Sequence, residues 1–530
     1  MKRLLAILLG LITCFSCVMA TGCNDDDVSK ETLVIEYYKA GYGQKWIDDL
    51  AKEYTNRTGQ KVITIPREGD KGVDSMATSF KSGTSETDLY FTKSPSFADI
   101  YKGTAAAGGK TYETWYADIS DVYNATIEGE NIAVKDKMFD AFEAYYKMPE
   151  EGKYYDNKYY FFPWVTGMMG IVINMDVWDT FASGKEFPRT TDEFLALCNE
   201  LKGAMTNSEA SLPETQRKGI APFIYSLSNE YFTSYYQIFM NQYHGDEAMD
   251  GFYKGIGPDE ERYSEHMIAY DGFKYALEFF EDLITPSNGY VHAKSNSMDF
   301  QQMQGAFLNG AGLFSINGDW LESEMQTKYP NARMQMIKTP VLSAVANRCS
   351  FASASNKDEI LRAAIDYVDG KTTTIPAGVS QDDLAIIAEA REVEYVTGNE
   401  LISYVPAYSN QIPAAKEFLK FMASDAGMKI FRNATKGCEL PFDYTNKEAA
   451  TGITTFRESI NSILEVSEAR FVSKKDRIYS LGGINVLLYN TNVRFATAFA
   501  NGTKTAEKYF DDEVLSVNGI LDQSKIQAGV

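Results

Sequence analysis

Between residues 33 and 66 an apolar strand, a glycine loop, an amphipathic helix and a second strand follow one another, and this succession narrows the fold further than any other feature. Leu33–Tyr38 reads LVIEYY, a run of β-branched and aromatic residues with the length of a strand. Gly41-Tyr42-Gly43 then turns the chain. Trp46, Leu50, Ala51 and Tyr54 recur at helical spacing, and Thr58-Gly59 ends that helix. KVITIP at Lys61–Pro66 is the next strand and TDLYFT at Thr87–Thr92 a third. Strands joined through helices cannot pair as tight hairpins. They lie side by side in a mostly parallel sheet with helices on its faces. In such sheets ligands collect at the carboxyl ends of the strands. The loops Lys39–Gly43 and Thr92–Ser96 are therefore the first places to expect a site.

The same grammar continues along the chain. Lys158–Asn174 reads as two extended segments broken at Pro163 and Gly167. Thr191–Lys202 is helical, with Thr190 or Thr191 as its cap. Gly219–Tyr225 is a strand that leads into an aromatic loop. Gly305–Ile316 reads as a short helix, a glycine turn and a strand, with Asn317-Gly318-Asp319-Trp320 at that strand's carboxyl end. Pro413–Met422 and Asn492–Ala500 are amphipathic helices. Residues 347–402 fit the alternation poorly and read as an insertion. No fixed-period repeat is present.

Composition excludes several functions. The chain has 530 residues, 44% hydrophobic and 23% charged, which describes a folded protein of two large domains or three to four smaller ones. Its 73 acidic against 51 basic residues give a net charge of −22, which repels phosphate backbones and disfavours nucleic-acid binding. The three histidines, His244, His266 and His292, have no metal-ligand spacing, so no metal is expected. Gly41-x-Gly43 has Trp46 where a dinucleotide turn needs its third glycine. HExxH, G-x-S-x-G and Walker motifs are missing. No cofactor and no catalytic residue is expected.

The first 22 residues read as an export signal. Lys2 and Arg3 precede an apolar run from Leu4 to Met19, too short to remain as a membrane helix. Ala20-Thr21-Gly22-Cys23 resembles the lipobox of bacterial lipoproteins, with Ala20 where leucine is usual; this implies cleavage and lipidation of Cys23. Residues 23–30 would be a polar tether. Loss of Lys2 and Arg3 would take the charge to about −24. The cysteines left, Cys198, Cys349 and Cys438, are too few for a disulfide scaffold. A Cys349–Cys438 bridge and free buried thiols both fit the sequence. No other apolar run reaches 18 residues.

Taken in order, the segments resemble the extracellular solute-binding proteins of ABC importers (family 1), the class of maltose-binding protein. They are the Leu33–Pro66 opening, Thr87-Asp88-Leu89-Tyr90, Phe162-Pro163-Trp164 through Ile173-Asn174-Met175-Asp176, Phe187-Pro188 with Thr191-Asp192-Glu193-Phe194, Asn229-Glu230-Tyr231-Phe232-Thr233, Phe307-Leu308-Asn309-Gly310 through Ile316-Asn317-Gly318-Asp319-Trp320, Ala415–Leu419, and Arg494–Gly502. The family has proline where this chain has Asp319. The resemblance implies a two-lobed α/β fold of the type II-like periplasmic-binding-protein kind. Each lobe would be a mixed, mostly parallel sheet flanked by helices, with a ligand cleft between them. The lobes would be 30–155 plus 342–430 and 156–341 plus 431–530. It further implies a monomeric, non-enzymatic receptor on the outer face of the cell membrane. The receptor would hand a small solute to ABC permease subunits.

A sugar offers C–H faces and rims of hydroxyls. A sugar cleft accordingly needs flat rings with planar donors and acceptors. Trp320 and Tyr231 match the family's stacking residues. Tyr42 between two glycines and Trp164 after Pro163 are further ring candidates. Lys39, Thr92, Lys93 and Ser94 stand at strand ends and could meet hydroxyls. Asp319 could grip two hydroxyls or a cationic ligand, with Asn317 and Glu230 as lesser candidates. An oligosaccharide is the expected ligand. A peptide or small cationic solute is the alternative, and a glycosidase a more distant one.

Overall fold

The computed structural model describes residues 32–39, 41–67, 86–93, 104–105, 111–148, 157–228, 232, 235–253, 255–397, 401–444, 450–466 and 495–528. The chain lays down β1 (Leu33–Tyr38), α1 (Lys45–Thr58), β2 (Val62–Arg67) and β3 (Leu89–Lys93). Further on come β4 (Phe162–Pro163), β5 (Met168–Asn174), β6 (Ala221–Phe223), α2 (Asp271–Ile284), β7 (Gly312–Gly318), α3 (Leu321–Met325) and β8 (Met334–Ile337). Then follow α4 (Lys357–Val368), α5 (Gln381–Glu392), β9 (Tyr395–Val396), β10 (Leu401–Tyr404), α6 (Ile412–Ala423), α7 (Asp425–Ala434), α8 (Thr455–Val466) and α9 (Ala506–Ala528). Thr190 caps the helix over Thr191–Ser208 by accepting the Glu193 N–H, as its position before an apolar-periodic run predicts.

Two five-stranded sheets organise these elements. The first has the order β2-β1-β3-β10-β4, and the second β8-β5-β7-β6 with β9 also on β5. In the first sheet β1 runs parallel to β2 and β3, while β10 is antiparallel to both β3 and β4. In the second, β5 is antiparallel to β7, β8 and β9, while β6 and β7 are parallel. Each sheet is thus a set of like-directed strands with one reversed member. The reversed strands, β5 and β10, are the two that arrive straight from the other lobe. Both sheets are mixed, as expected, but not mostly parallel in pairing: the single reversed strand makes two of the four pairings antiparallel in the first sheet and three of four in the second, and that reversal follows from the crossings.

The chain crosses between lobes at 164–167, after β9, and again between α7 and α8. Each lobe has its own core. The first packs β1, β3, α1, α6 and α7 around Trp46, Trp164, Phe91, Phe418 and Phe431. The second buries Phe194, Phe223, Phe280, Phe314 and Phe495 on one face of its sheet. On the other face Met168, Val172, Met336, Phe456 and Ile460 pack together. Cys198, Cys349 and Cys438 are free and buried. Cys349 lies in the second core and Cys438 in the first, so the bridge left open by the sequence is not formed.

The segment expected to belong to the first lobe lies elsewhere. Leu342, Val345, Leu361, Ile365, Leu384, Ile387 and Val393 all pack into the second core. Residues 342–396 therefore cover the second sheet, with α4 and α5 as their body; only from β10 onward does the chain rejoin the first lobe. Residues 347–396 fit the sequence rhythm poorly but form a structural layer of the second lobe.

A buried carboxyl ties this layer down. Glu394 is fully buried and accepts from the Thr339 N–H at 2.9 Å and the Thr339 hydroxyl at 2.5 Å. The Thr339 hydroxyl also meets the Tyr235 hydroxyl, and Arg391 donates to the Thr339 carbonyl. Burial pushes the Glu394 pKa up to about 7, against the bonds from Thr339 and the charges of Arg391 and Lys338. The folded chain therefore holds a proton that the unfolded chain has released between its ordinary carboxyl pKa and about 7. Stability from this site is full at acid pH and lost as pH rises through neutrality. We expect Glu394→Gln to flatten the pH dependence of urea midpoints between pH 5 and 8. An unchanged slope would place the ionised carboxylate in the native fold across that range.

Candidate functional site

The loop after β1 brings the lobes together. Its two glycines act differently. Gly43 has φ +71°, a left-handed conformation that favours glycine. Gly41 has no such torsion, but a Cβ there would lie 2.7 Å from the Cβ of Trp320 in the other lobe. Tyr42 between them is 7% exposed. Its hydroxyl donates to Asp319 Oδ1 at 3.1 Å, across the interface between the lobes. Burial, and then the Asp319 carboxylate, hold that hydroxyl protonated far above its ordinary range.

Asp319 sits at the carboxyl end of β7 with no exposed surface. Arg457 of α8 donates to its Oδ2 at 2.9 Å and to its carbonyl at 3.0 Å. The Asp319 N–H donates to Met168 O at 2.9 Å. Its carboxylate is thus fully engaged within the protein. The expected grip on ligand hydroxyls or on a cation is replaced by an ion pair that a buried charge requires. Gly167, in the first crossing, makes room for this knot: a Cβ there would meet Thr397 Oγ1 at 2.3 Å and the Tyr42 hydroxyl at 3.0 Å.

Trp164 belongs to the core rather than to a ligand surface. It has no exposed area, and its ring stacks on Trp46 at 5.0 Å and 11°. Tyr42 meets it edge-on at 5.6 Å, and the Trp164 indole N–H donates to Thr92 O at 3.3 Å. Thr92 is itself buried within β3, paired with Ile402, so its hydroxyl does not face a cleft. The backbone of Lys93 pairs with Leu401. The Lys93 side chain, Ser94, Glu230, Tyr231 and Cys23 lie outside the described residues. Asn317 is buried and its Oδ1 accepts from the Gly318 N–H at 2.8 Å, a local turn contact. Trp320 is half-buried, and its ring lies over Gly318, where a Cβ would come within 2.2 Å of Cζ3. The glycine before it lets the ring lie flat on the strand end.

Beside this knot opens a cleft of about 690 Å³. The first lobe contributes Tyr38, Lys39 and Gly41 through Lys45; the second contributes Gln301, Ser323, Glu324 and Gln326. Ala434, Thr435 and Lys436, at the end of α7, close one side. Of the sequence candidates, Lys39 and Tyr42 line it. The polar residues of α3 and of the α7 terminus were not foreseen, because no local motif marks them. The signal that could have found them is positional: both follow an element whose other end is fixed in the core. The lining is dominated by amide, hydroxyl and ammonium groups beside two tyrosines, which suits a hydroxyl-rich solute. Among the described residues no group of three His, Cys, Asp or Glu side chains is placed to hold a metal ion. No described helix is long and apolar enough to cross a membrane.

Residues 40–429 match the family model described as bacterial extracellular solute-binding protein. No curated protein matches the chain by sequence. Among solved structures, maltose-bound MalE3 of T. maritima aligns with a TM-score of 0.57 at 12% identity, covering 92% of this chain and 100% of that one. RafE in complex with raffinose aligns with a TM-score of 0.55 at 14% identity, over 93% and 100% of the two chains. The ABC substrate-binding protein Lmo0181 from Listeria monocytogenes, in complex with cycloalternan, gives a TM-score of 0.55 at 14% identity, over 93% and 100%. At such identities the likeness is one of fold, the two-lobed α/β architecture built above from the strands upward. With the family match spanning most of the chain, that architecture has one reading: the chain belongs to the bacterial extracellular solute-binding protein family.

Proposed function

We propose that this protein captures an oligosaccharide in the cleft between its lobes and delivers it, chemically unchanged, to the membrane subunits of an ABC importer. The observation that carries the reading is the cleft itself. It draws two tyrosines from the first lobe and hydrogen-bonding side chains from both, so a ligand that touches both stabilises their approach. Binding energy of that kind shifts an open–closed equilibrium and breaks no bond. Similarly folded proteins in complex with maltose, raffinose and cycloalternan favour a sugar. The Ala20-Thr21-Gly22-Cys23 segment supports a lipid anchor on Cys23. Attachment through more than one acyl chain would be stable, where a single chain is marginal.

A sugar screen by thermal shift tests the proposal. A ligand present at 100 times its Kd adds about 2.7 kcal/mol to the folded state, so a true ligand raises the melting temperature visibly. Trp320, half-buried beside Gly41 at the interlobe contact, adjoins the residues that line the cleft rather than lining it, and is the candidate platform. Trp320→Ala should remove most of the ligand-induced rise and lower ligand-free melting by only a few degrees. An equal loss of ligand-free stability would make it a packing residue instead. Release of new reducing ends by sub-stoichiometric protein would defeat the receptor reading in favour of a glycosidase.

A further inference from the structure

The charge of the cleft is opposite to that of the molecule. The chain carries 73 acidic and 51 basic residues, yet among the described residues the cleft is lined by Lys39, Lys45 and Lys436 against Glu324. Lys45 is ion-paired with Asp49 at the surface. Lys39 is exposed at the carboxyl end of β1, and among the described residues no carboxylate pairs with it. Lys436 donates to the neutral Gln326 amide oxygen of the second lobe at 2.9 Å. Its backbone is left-handed, φ 57°, a conformation unfavourable to a residue with a Cβ. The fold thus places Lys436 on a disfavoured backbone at the cleft and leaves two ammonium groups without a carboxylate partner among the described residues. Closing the lobes over a neutral sugar would strip water from these charges and return only hydroxyl contacts. An anion would return charge-assisted bonds, about twice as strong.

We infer that the ligand is an acidic oligosaccharide, its charge carried by uronate carboxylates or sulfate esters that meet Lys39 and Lys436. This rests on the oligosaccharide reading above and narrows it. The test compares three ligands by calorimetry on the purified protein: trigalacturonate, a sulfated disaccharide, and maltotriose as the neutral control. One of the acidic sugars should bind at least about tenfold more tightly than maltotriose, the worth of one charge-assisted contact. The double variant Lys39→Gln, Lys436→Gln should collapse that ratio toward one. Both side chains are exposed, so its melting temperature without ligand should stay near that of the parent, which separates lost charge from lost fold. Maltotriose binding as tightly as either acid overturns the inference and leaves the oligosaccharide reading standing. No binding by any of the three, with a positive result for other solutes, overturns both. An acidic peptide of equal charge that binds as tightly as trigalacturonate overturns the assignment to a glycan.

Discussion

Arg457→Met should be the most damaging single substitution in the second lobe, costing about 3–5 kcal/mol of unfolding free energy in urea. The reason is the position of its partner. Asp319 has no exposed surface and Arg457 has 3% of its side chain exposed, so removal of the guanidinium strands a carboxylate without solvent. The stranded carboxylate keeps the Tyr42 hydroxyl, but one neutral donor does not replace the bond from a cation, and the Asp319 carbonyl loses its donor as well. Double replacement, Arg457→Met with Asp319→Leu, should recover most of the loss, because well-packed apolar groups often equal a buried ion pair. If the double variant is no more stable than Arg457→Met alone, the pair positions the lobes by more than its charge balance. A companion change, Tyr42→Phe, removes only the interlobe bond. It leaves Asp319 Oδ1 without that donor in a buried site, so it should cost about 1–3 kcal/mol in stability and also alter the open–closed population in small-angle scattering.

Trp164→Ala should cost about 3–5 kcal/mol, the range for deleting a large buried ring. Its indole is enclosed by Trp46, Tyr42 and Phe91, so the cavity left behind has no solvent side through which to collapse. Because the ring lies where the chain first crosses between lobes, the loss should appear in the melting of the first lobe. Trp164→Phe should restore much of it. The measurement that separates packing from recognition is ligand affinity in Trp164→Phe. An unchanged Kd is the result expected of a core residue, and a tenfold loss with normal melting would make it a ligand contact.

The residues at issue show why some of this was legible in sequence. β1, its glycine loop and α1 are local: apolar runs, a turn and helical spacing lie within 26 residues of one another. Periodicity and turn chemistry act over that distance, so the β-α-β opening and the α/β class could be read directly, while the two-lobed arrangement was implied by the resemblance. The same rules show that α4 and α5 each bury a face, but not against which sheet. Either core would accept their leucines and isoleucines, and the choice of the second is settled by where the chain crosses. Asp319 is the sharper case. Its residue type and its place at a strand end suggested a ligand grip, whereas its partner Arg457 lies 138 residues away on α8.

By itself the sequence determined the α/β class, the strand-end loop at Tyr42 and the place of Trp320 just past β7, because hydrophobic period and turn residues are short-range properties of the chain; the two lobes were implied only by the resemblance of its segments, in order, to a family. Tertiary structure alone decided that Trp164 is core, that Asp319 is neutralised by Arg457, and that the cleft takes its polar wall from α3 and Lys436. Those outcomes depend on which distant surfaces meet, and the energy of burying a charge or a ring is set only once its neighbours are in place.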